Sequence, residues 1–292
     1  MGRTLMYIEN KDDISLSENE GSNSFEELRV NALGASIDFS RSLTNKSDLF
    51  ATCCSADMET TTETIHNHLC SLLGHHIKCR LMKTPTGKTP FFPKLGNIEM
   101  LEIYGDGFDA TRIDDFLSRS TCLESISWMS HFDKEIELIE NSKIYELDTV
   151  YLWTSRSMAT DCMKHFNGRR AFLGEVTTPD VIQFLNTWRS GKKFQNLEVI
   201  SMMFYFKVPV IRRSVEFREL SSEVEYVLTE KDHKLMPRVS LHSSWECKSH
   251  LYMVRESDNR VASVMLKEGN VSLAVWSMTE EEFLAKFEEP KR

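Results

Sequence analysis

His66, His68, Cys70, His75, His76 and Cys79 crowd one stretch of this chain, and neutral imidazole and thiolate are the ligands zinc takes most readily. His66 and Cys70 stand four apart in a helix-like pattern and could share a metal, with His75 or Cys79 closing the site. No Cys-x-x-Cys or His-x-x-x-His pair accompanies them, and Leu69, Leu72 and Leu73 already explain the helix as core-facing. The histidines therefore read as a polar face, the cysteines as packing, and no metal is expected. A second constellation is Gly105-Asp-Gly-Phe-Asp-Ala110, which follows a strand pattern and opens a helix as a dinucleotide loop would. A pyrophosphate there would meet Asp106, Asp109, Asp114 and Asp115, and like charges in a desolvated cradle disfavour it. The loop reads as a tight turn with an aspartate N-cap, and a nucleotide-binding enzyme using Gly105–Ala110 is the alternative reading. No His-Glu-x-x-His, Gly-x-Ser-x-Gly or phosphate-loop lysine is present. No catalytic residue and no cofactor are expected.

The elements that would hold these residues are legible as a repeat of about 25 residues, apolar, two variable, apolar, one variable, apolar. Ile98/Leu101/Ile103, Leu123/Ile126/Trp128, Leu147/Val150/Leu152 and Leu197/Ile200/Met202 fit, and a fifth stretch near Phe172 keeps the phase. One strand-plus-helix unit cannot bury its own apolar side, so such units stack. Helices are expected with inner faces Ile113/Phe116/Leu117 after an Asp109 cap, Phe132/Ile136/Ile139, Met158/Cys162/Phe166, and Val181/Phe184/Leu185/Trp188. The last has Thr178 as N-cap, Pro179 at its first position and Gly191 past its end. Each helix would return the chain so that successive strands run parallel. The variable positions Glu102, Ser127, Tyr151 and Ser201 would then line the open side as the partner-binding face. Trp128, Trp153 and Trp188 read as core.

Around the array, residues 1–24 read as a disordered acidic tail, and Phe25 to Phe39 as a strand pair. Thr62 to Leu73 reads as a helix and residues 77–81 as a strand. Residues 205–240 read as a connector with one strand at Glu223–Leu228, and Arg212-Arg213 as a solvated loop. Leu251–Arg255, Val261–Leu266 and Val271–Trp276 alternate with turn residues as a meander, and Thr279 with Glu282 makes a capping box for a last helix bearing Phe283, Leu284 and Phe287.

With 35 Lys+Arg against 44 Asp+Glu the net charge is −9, which gives no drive toward a phosphate backbone, so no nucleic acid partner is expected. No window approaches the roughly 18 apolar residues of a membrane span, and no membrane partner is expected. The odd count of seven cysteines in apolar segments suits a reducing, intracellular location, cytoplasmic or nuclear, without disulfides.

From Thr62 onward the chain resembles the nematode F-box-associated proteins of the second type. The match lies in Phe166-Asn-Gly-Arg-Arg170, Thr177-Thr-Pro-Asp180, Phe184-Leu185, Trp188-Arg-Ser-Gly191 and Asn196-Leu-Glu198, and in Tyr252-Met-Val-Arg255, Ser257-Asp258, Ala262-Ser-Val264 and Val275-Trp276. The resemblance implies the substrate-recognition half of a ubiquitin-ligase adaptor, whose F-box would recruit a Skp-type linker. An F-box opens with Leu-Pro, yet residues 1–61 hold no proline, so residues 25–61 are expected to be a truncated or degenerate F-box region with any remnant at Leu43 to Cys54. The expected fold is α/β: leucine-rich-repeat-like strand-helix repeats with a C-terminal antiparallel β-meander, divided at 62–240 and 241–292. The expected function is noncatalytic recognition of a protein partner, with a Skp-type linker added only where the remnant works.

Overall fold

The computed structural model describes residues 5–10, 25–32, 35–42, 48–53, 63, 66–67, 79–83, 92, 95, 98–105, 108–130, 137–203, 207–228 and 245–287. The chain divides into two units, Met1–Glu124 and Ser125–Arg292.

In the first unit, strands β1 (Leu5–Asn10), β2 (Phe25–Ala32), β3 (Ala35–Ser42) and β4 (Asp48–Cys53) form a sheet in the order β1-β4-β3-β2. The expected strand pair is the β2–β3 hairpin, in register from Phe25↔Ser42 to Ala32↔Ala35. Two expectations are corrected here. Residues 5–10 are not tail: the apolar run Leu5-Met-Tyr-Ile8 has strand propensity and pairs in parallel with β4, while residues 11–24 lie outside the described residues. An F-box is helical, and the segment searched for its remnant contains strand β4 instead.

The expected helix from Thr62 is described only at Glu63, His66 and Asn67, all helical. Strand β5 (Cys79–Lys83) runs parallel to β6 (Ile98–Tyr104). Helix α1 (Ala110–Arg119) follows with Ile113, Phe116 and Leu117 buried as its periodicity requires. Phe92 packs against Phe116 and Phe108 at ring-centroid distances of 5.3 and 5.9 Å.

The second unit is built on a large mixed sheet. Strands β7 (Ser125–Met129), β8 (Thr149–Trp153), β9 (Arg170–Gly174) and β10 (Val199–Met203) lie side by side and parallel in chain order. Helix α2 (Arg156–His165) joins β8 to β9, and α3 (Thr178–Arg189) joins β9 to β10. Right-handed crossovers added in one direction put both helices on the same face. That face is the buried row pairs Ile126/Trp128, Val150/Leu152, Ala171/Leu173 and Ile200/Met202. Met158 and Cys162 of α2 and Val181, Phe184, Leu185 and Trp188 of α3 are buried as expected.

Several local expectations shift. The α3 N-cap is Thr177, not Thr178, because the Thr177 hydroxyl accepts from the Asp180 amide while the Asp180 carboxylate accepts from the Thr177 amide, a closed capping box. Between β7 and β8, residues 137–142 carry no helix, Ile139 is exposed, and one 3-10 turn, Lys143–Glu146, leads into β8; Phe132 and Ile136 lie outside the described residues. The connector holds helix α4 (Val208–Ser214), which Pro209 can begin because a first-turn amide needs no intrahelical partner, so Arg212-Arg213 ends a helix rather than crossing a loop.

Strands β12 (Trp245–Val254), β13 (Arg260–Lys267) and β14 (Asn270–Thr279) are the expected meander, and the strand expected in the connector, β11 (Arg218–Leu228), pairs antiparallel with β12 and extends it; each is longer at its start than the apolar pattern shows. They do not form a separate cap. β14 pairs antiparallel with β10 from Val199↔Ala274 to Met203↔Asn270, so the order β11-β12-β13-β14-β10-β9-β8-β7 is continuous and no boundary falls at 240/241. Helix α5 (Glu280–Phe287) closes the unit with the expected box, the Glu282 carboxylate accepting from the Thr279 amide at 2.8 Å and Phe283 buried against Tyr252, Leu220 and Val261.

Candidate recognition surface

The partner face expected from the variable positions is not on the outside. Ser127, Tyr151 and Ser201 do come together: the register joins Ser127↔Tyr151, Tyr151↔Phe172 and Phe172↔Ser201 in one row, with Ser272 next. All are buried. Tyr151 stacks on Phe172 at 4.5 Å and 6°, Tyr226 of β11 packs on this cluster, and the Ser201 and Ser272 hydroxyls lie 3.1 Å apart. Glu102 in β6 is buried too, its carboxylate accepting from the Tyr104 hydroxyl at 2.7 Å. The physical reason is that parallel strands are covered on both faces, so alternation of polarity does not mark an outer side.

The other constellations also resolve. His66 is buried, Cys79 stands in β5, and His68, Cys70, His75 and His76 lie outside the described residues. Among the described residues no three His, Cys, Asp or Glu side chains are grouped to hold a metal. Gly105 takes φ +90, and the Asp109 carboxylate accepts from the Thr111 amide at 2.9 Å, so α1 begins with a carboxylate of its own where a phosphate would need to sit. Asp106 and Gly107 lie outside the described residues. Trp128 and Trp188 are fully buried and Trp153 half-buried.

A surface that sequence reasoning missed lies where the parallel strands begin. The residue before each strand is charged: Asp148 before β8, Arg169 before β9, Glu198 before β10. Their backbones form a ladder. The Asp148 carbonyl accepts from the Arg169 and Arg170 amides, the Arg169 carbonyl from Glu198 and Val199, and the Glu198 carbonyl from Val275. Side chains close a second ring over it. The Arg169 guanidinium donates to Asp148 at 2.5 and 3.2 Å and to Glu198 at 3.1 Å, while Arg170 reaches Glu198 at 3.0 Å. The hydrogen bonds to Asp148 hold the Arg169 proton even more firmly than usual.

This ring lines a cleft of about 520 Å³ whose rim carries the exposed amides Asn167, Gln195 and Asn196, with the half-buried indole of Trp276 on its far side. Asn196 donates to the Asn167 carbonyl at 3.3 Å. Gly168 has no room for a side chain, since a Cβ would fall 2.0 Å from the Leu147 carbonyl oxygen. Arg169 and Arg170 together balance Asp148 and Glu198, and Glu146, Ser277 and Arg260 add to the polar lining. What it offers is a polar, aromatic-edged surface in which arginine and tryptophan, types enriched where polypeptides dock, stand among amides and carboxylates.

The segments that carry the family resemblance are physically tied to one another. Phe166–Arg170 and Asn196–Glu198 build the cleft. Trp188 lies under the buried Arg255 guanidinium at 5.5 Å, and Arg255 donates to Asp258 at 2.8 and 2.6 Å and to the Phe194 carbonyl at 3.2 Å. Gly191, at φ +68, leaves space that a Cβ would contest with the Ser257 hydroxyl at 2.1 Å. Comparison with protein-family models, curated proteins and solved structures found no match. No helix among the described residues is long and apolar enough to cross a membrane.

Proposed function

We propose that this chain is a noncatalytic protein-recognition module, comparable to the substrate-binding half of an F-box adaptor, acting inside the cell. The observation that carries the reading is the ion-pair ring of Asp148, Arg169, Glu198 and Arg170, which fixes the starts of successive parallel strands and leaves an open cleft edged by exposed amides and an indole. Under this reading the second unit is leucine-rich-repeat-like in plan, one strand and one helix per step. The ring substitutes for the asparagine that ties the loops of a standard repeat. Recruitment of a ligase through residues 25–61 is not part of the proposal.

Affinity capture with the full chain tests it. A protein retained by the wild type should be lost when Gln195→Glu and Asn196→Arg are introduced together on the exposed rim, and a Skp-type linker and cullin should be absent. Capture undiminished by the double substitution would refute the cleft as the recognition surface. Stoichiometric Skp-type linker would restore the ligase role.

A further inference from the structure

The groove between α2 and α3 is separate from the cleft. Its floor is Met163, Phe184 and Phe194, and it encloses about 220 Å³. An apolar cavity of about 150 Å³ suffices for benzene, so one aromatic or branched aliphatic side chain fits. Its back wall is held rigidly. Phe194 sits at φ +64, a region that side chains rarely adopt, with its carbonyl gripped by Arg255 and its ring against Phe184 at 4.8 Å and 55°.

The lip of the groove is charged unevenly. Asp180 faces it, but its carboxylate is committed to the Thr177 amide and hydroxyl and the Thr160 hydroxyl, and Lys164 is matched by Asp161. Lys193 donates to the Lys164 backbone carbonyl at 3.0 Å and forms no ion pair with a described carboxylate, and Lys192 beside it is exposed. Neutral donors leave the Asp180 charge in place, so Lys164, Lys192 and Lys193 stand against Asp161 and Asp180, and the charge around the mouth of the apolar socket is positive by one.

We propose that this groove docks a partner peptide bearing an aromatic or aliphatic anchor next to carboxylate side chains. The anchor fills the space over Phe184 and Phe194, and Lys193 meets the adjoining carboxylate. The proposal extends the recognition reading to a second contact and rests on it for biological meaning, but its test is independent of the cleft.

Fluorescence polarisation on the full chain, with labelled Gly-Ser-flanked peptides containing Phe-Glu-Glu, Phe-Lys-Lys or Ala-Glu-Glu, decides it. The expected result is saturable binding of the Phe-Glu-Glu peptide at least tenfold tighter than of either other. Lys193→Glu should cost at least tenfold. Phe194→Gly, which relaxes the positive φ while deleting the ring, should abolish binding with the fold retained by circular dichroism. Equal binding of Phe-Lys-Lys, indifference to Lys193→Glu, or absence of binding at millimolar peptide overturns the proposal. So does displacement by free hydrocinnamate at equal concentration, which would mark a small-carboxylate site. Peptide binding without any partner captured at the cleft would sink the recognition reading and leave the groove standing; the reverse pattern would sink the groove alone.

Discussion

At the scale of single residues, the Arg255–Asp258 pair organises the far side of the sheet. Arg255 is 1% exposed and its guanidinium is fully engaged, by Asp258, the Phe194 carbonyl and the Trp188 face. Hydrogen bonding to Arg255 holds the Asp258 carboxyl below the usual carboxylate range. A pKa lowered by folding means stability that is present above that range and lost as pH falls through the depressed value. Asp258→Asn should therefore destabilise by about 3 kcal/mol at neutral pH, since it strands a buried guanidinium. Thermal melts from neutral pH to strong acid should show the variant and the wild type converging at the acid end; a constant gap would refute the assignment. Burial pushes the Cys247 thiol up to about 12 and raises Cys162 further, whereas Cys122 is exposed. Under native conditions iodoacetamide should label Cys122 and spare Cys162 and Cys247, with mass spectrometry after brief exposure as the readout.

At the scale of elements, caps decide where helices begin. The box at Thr177 and Asp180 sets the first turn of α3 one residue earlier than apolar periodicity and Pro179 indicate. Thr177→Ala should cost about 1 kcal/mol, and Thr177→Ser should recover most of it, as measured by denaturant unfolding. Asp109 in α1 and the inner face of α2 are equally local and were readable for the same reason: a cap and a 3.6-residue period are properties of a short window. The helix expected to hold Phe132, Ile136 and Ile139 shows the limit at its last position, the one of the three that is described, because Ile139 satisfies the period yet is exposed. Spacing records which residues could share a face, and only packing decides whether that face is used.

At the scale of the molecule, β10 is the hinge of the architecture, parallel to β9 on one side and antiparallel to β14 on the other. The array and the meander of the second unit thus share one ladder of backbone hydrogen bonds. Native-state hydrogen exchange should give β8, β10, β13 and β14 a common opening free energy, whereas an independent C-terminal cap would exchange on its own at lower cost.

The strands of the array, most of its helices and its parallel order followed from the sequence alone, because four apolar triplets and a fifth stretch in phase with them can be buried only by stacking. The candidate face did not follow. Glu102, Ser127, Tyr151 and Ser201 are polar or amphipathic at alternating positions, and alternation identifies a face without saying what lies over it; Tyr226, distant in sequence, covers the Tyr151 row. The cleft was invisible for the complementary reason. Asp148, Arg169 and Glu198 each look like an ordinary solvated charge in its own loop, and only the side-by-side placement of three strand starts, with Arg170 between the two acids, turns them into one ring.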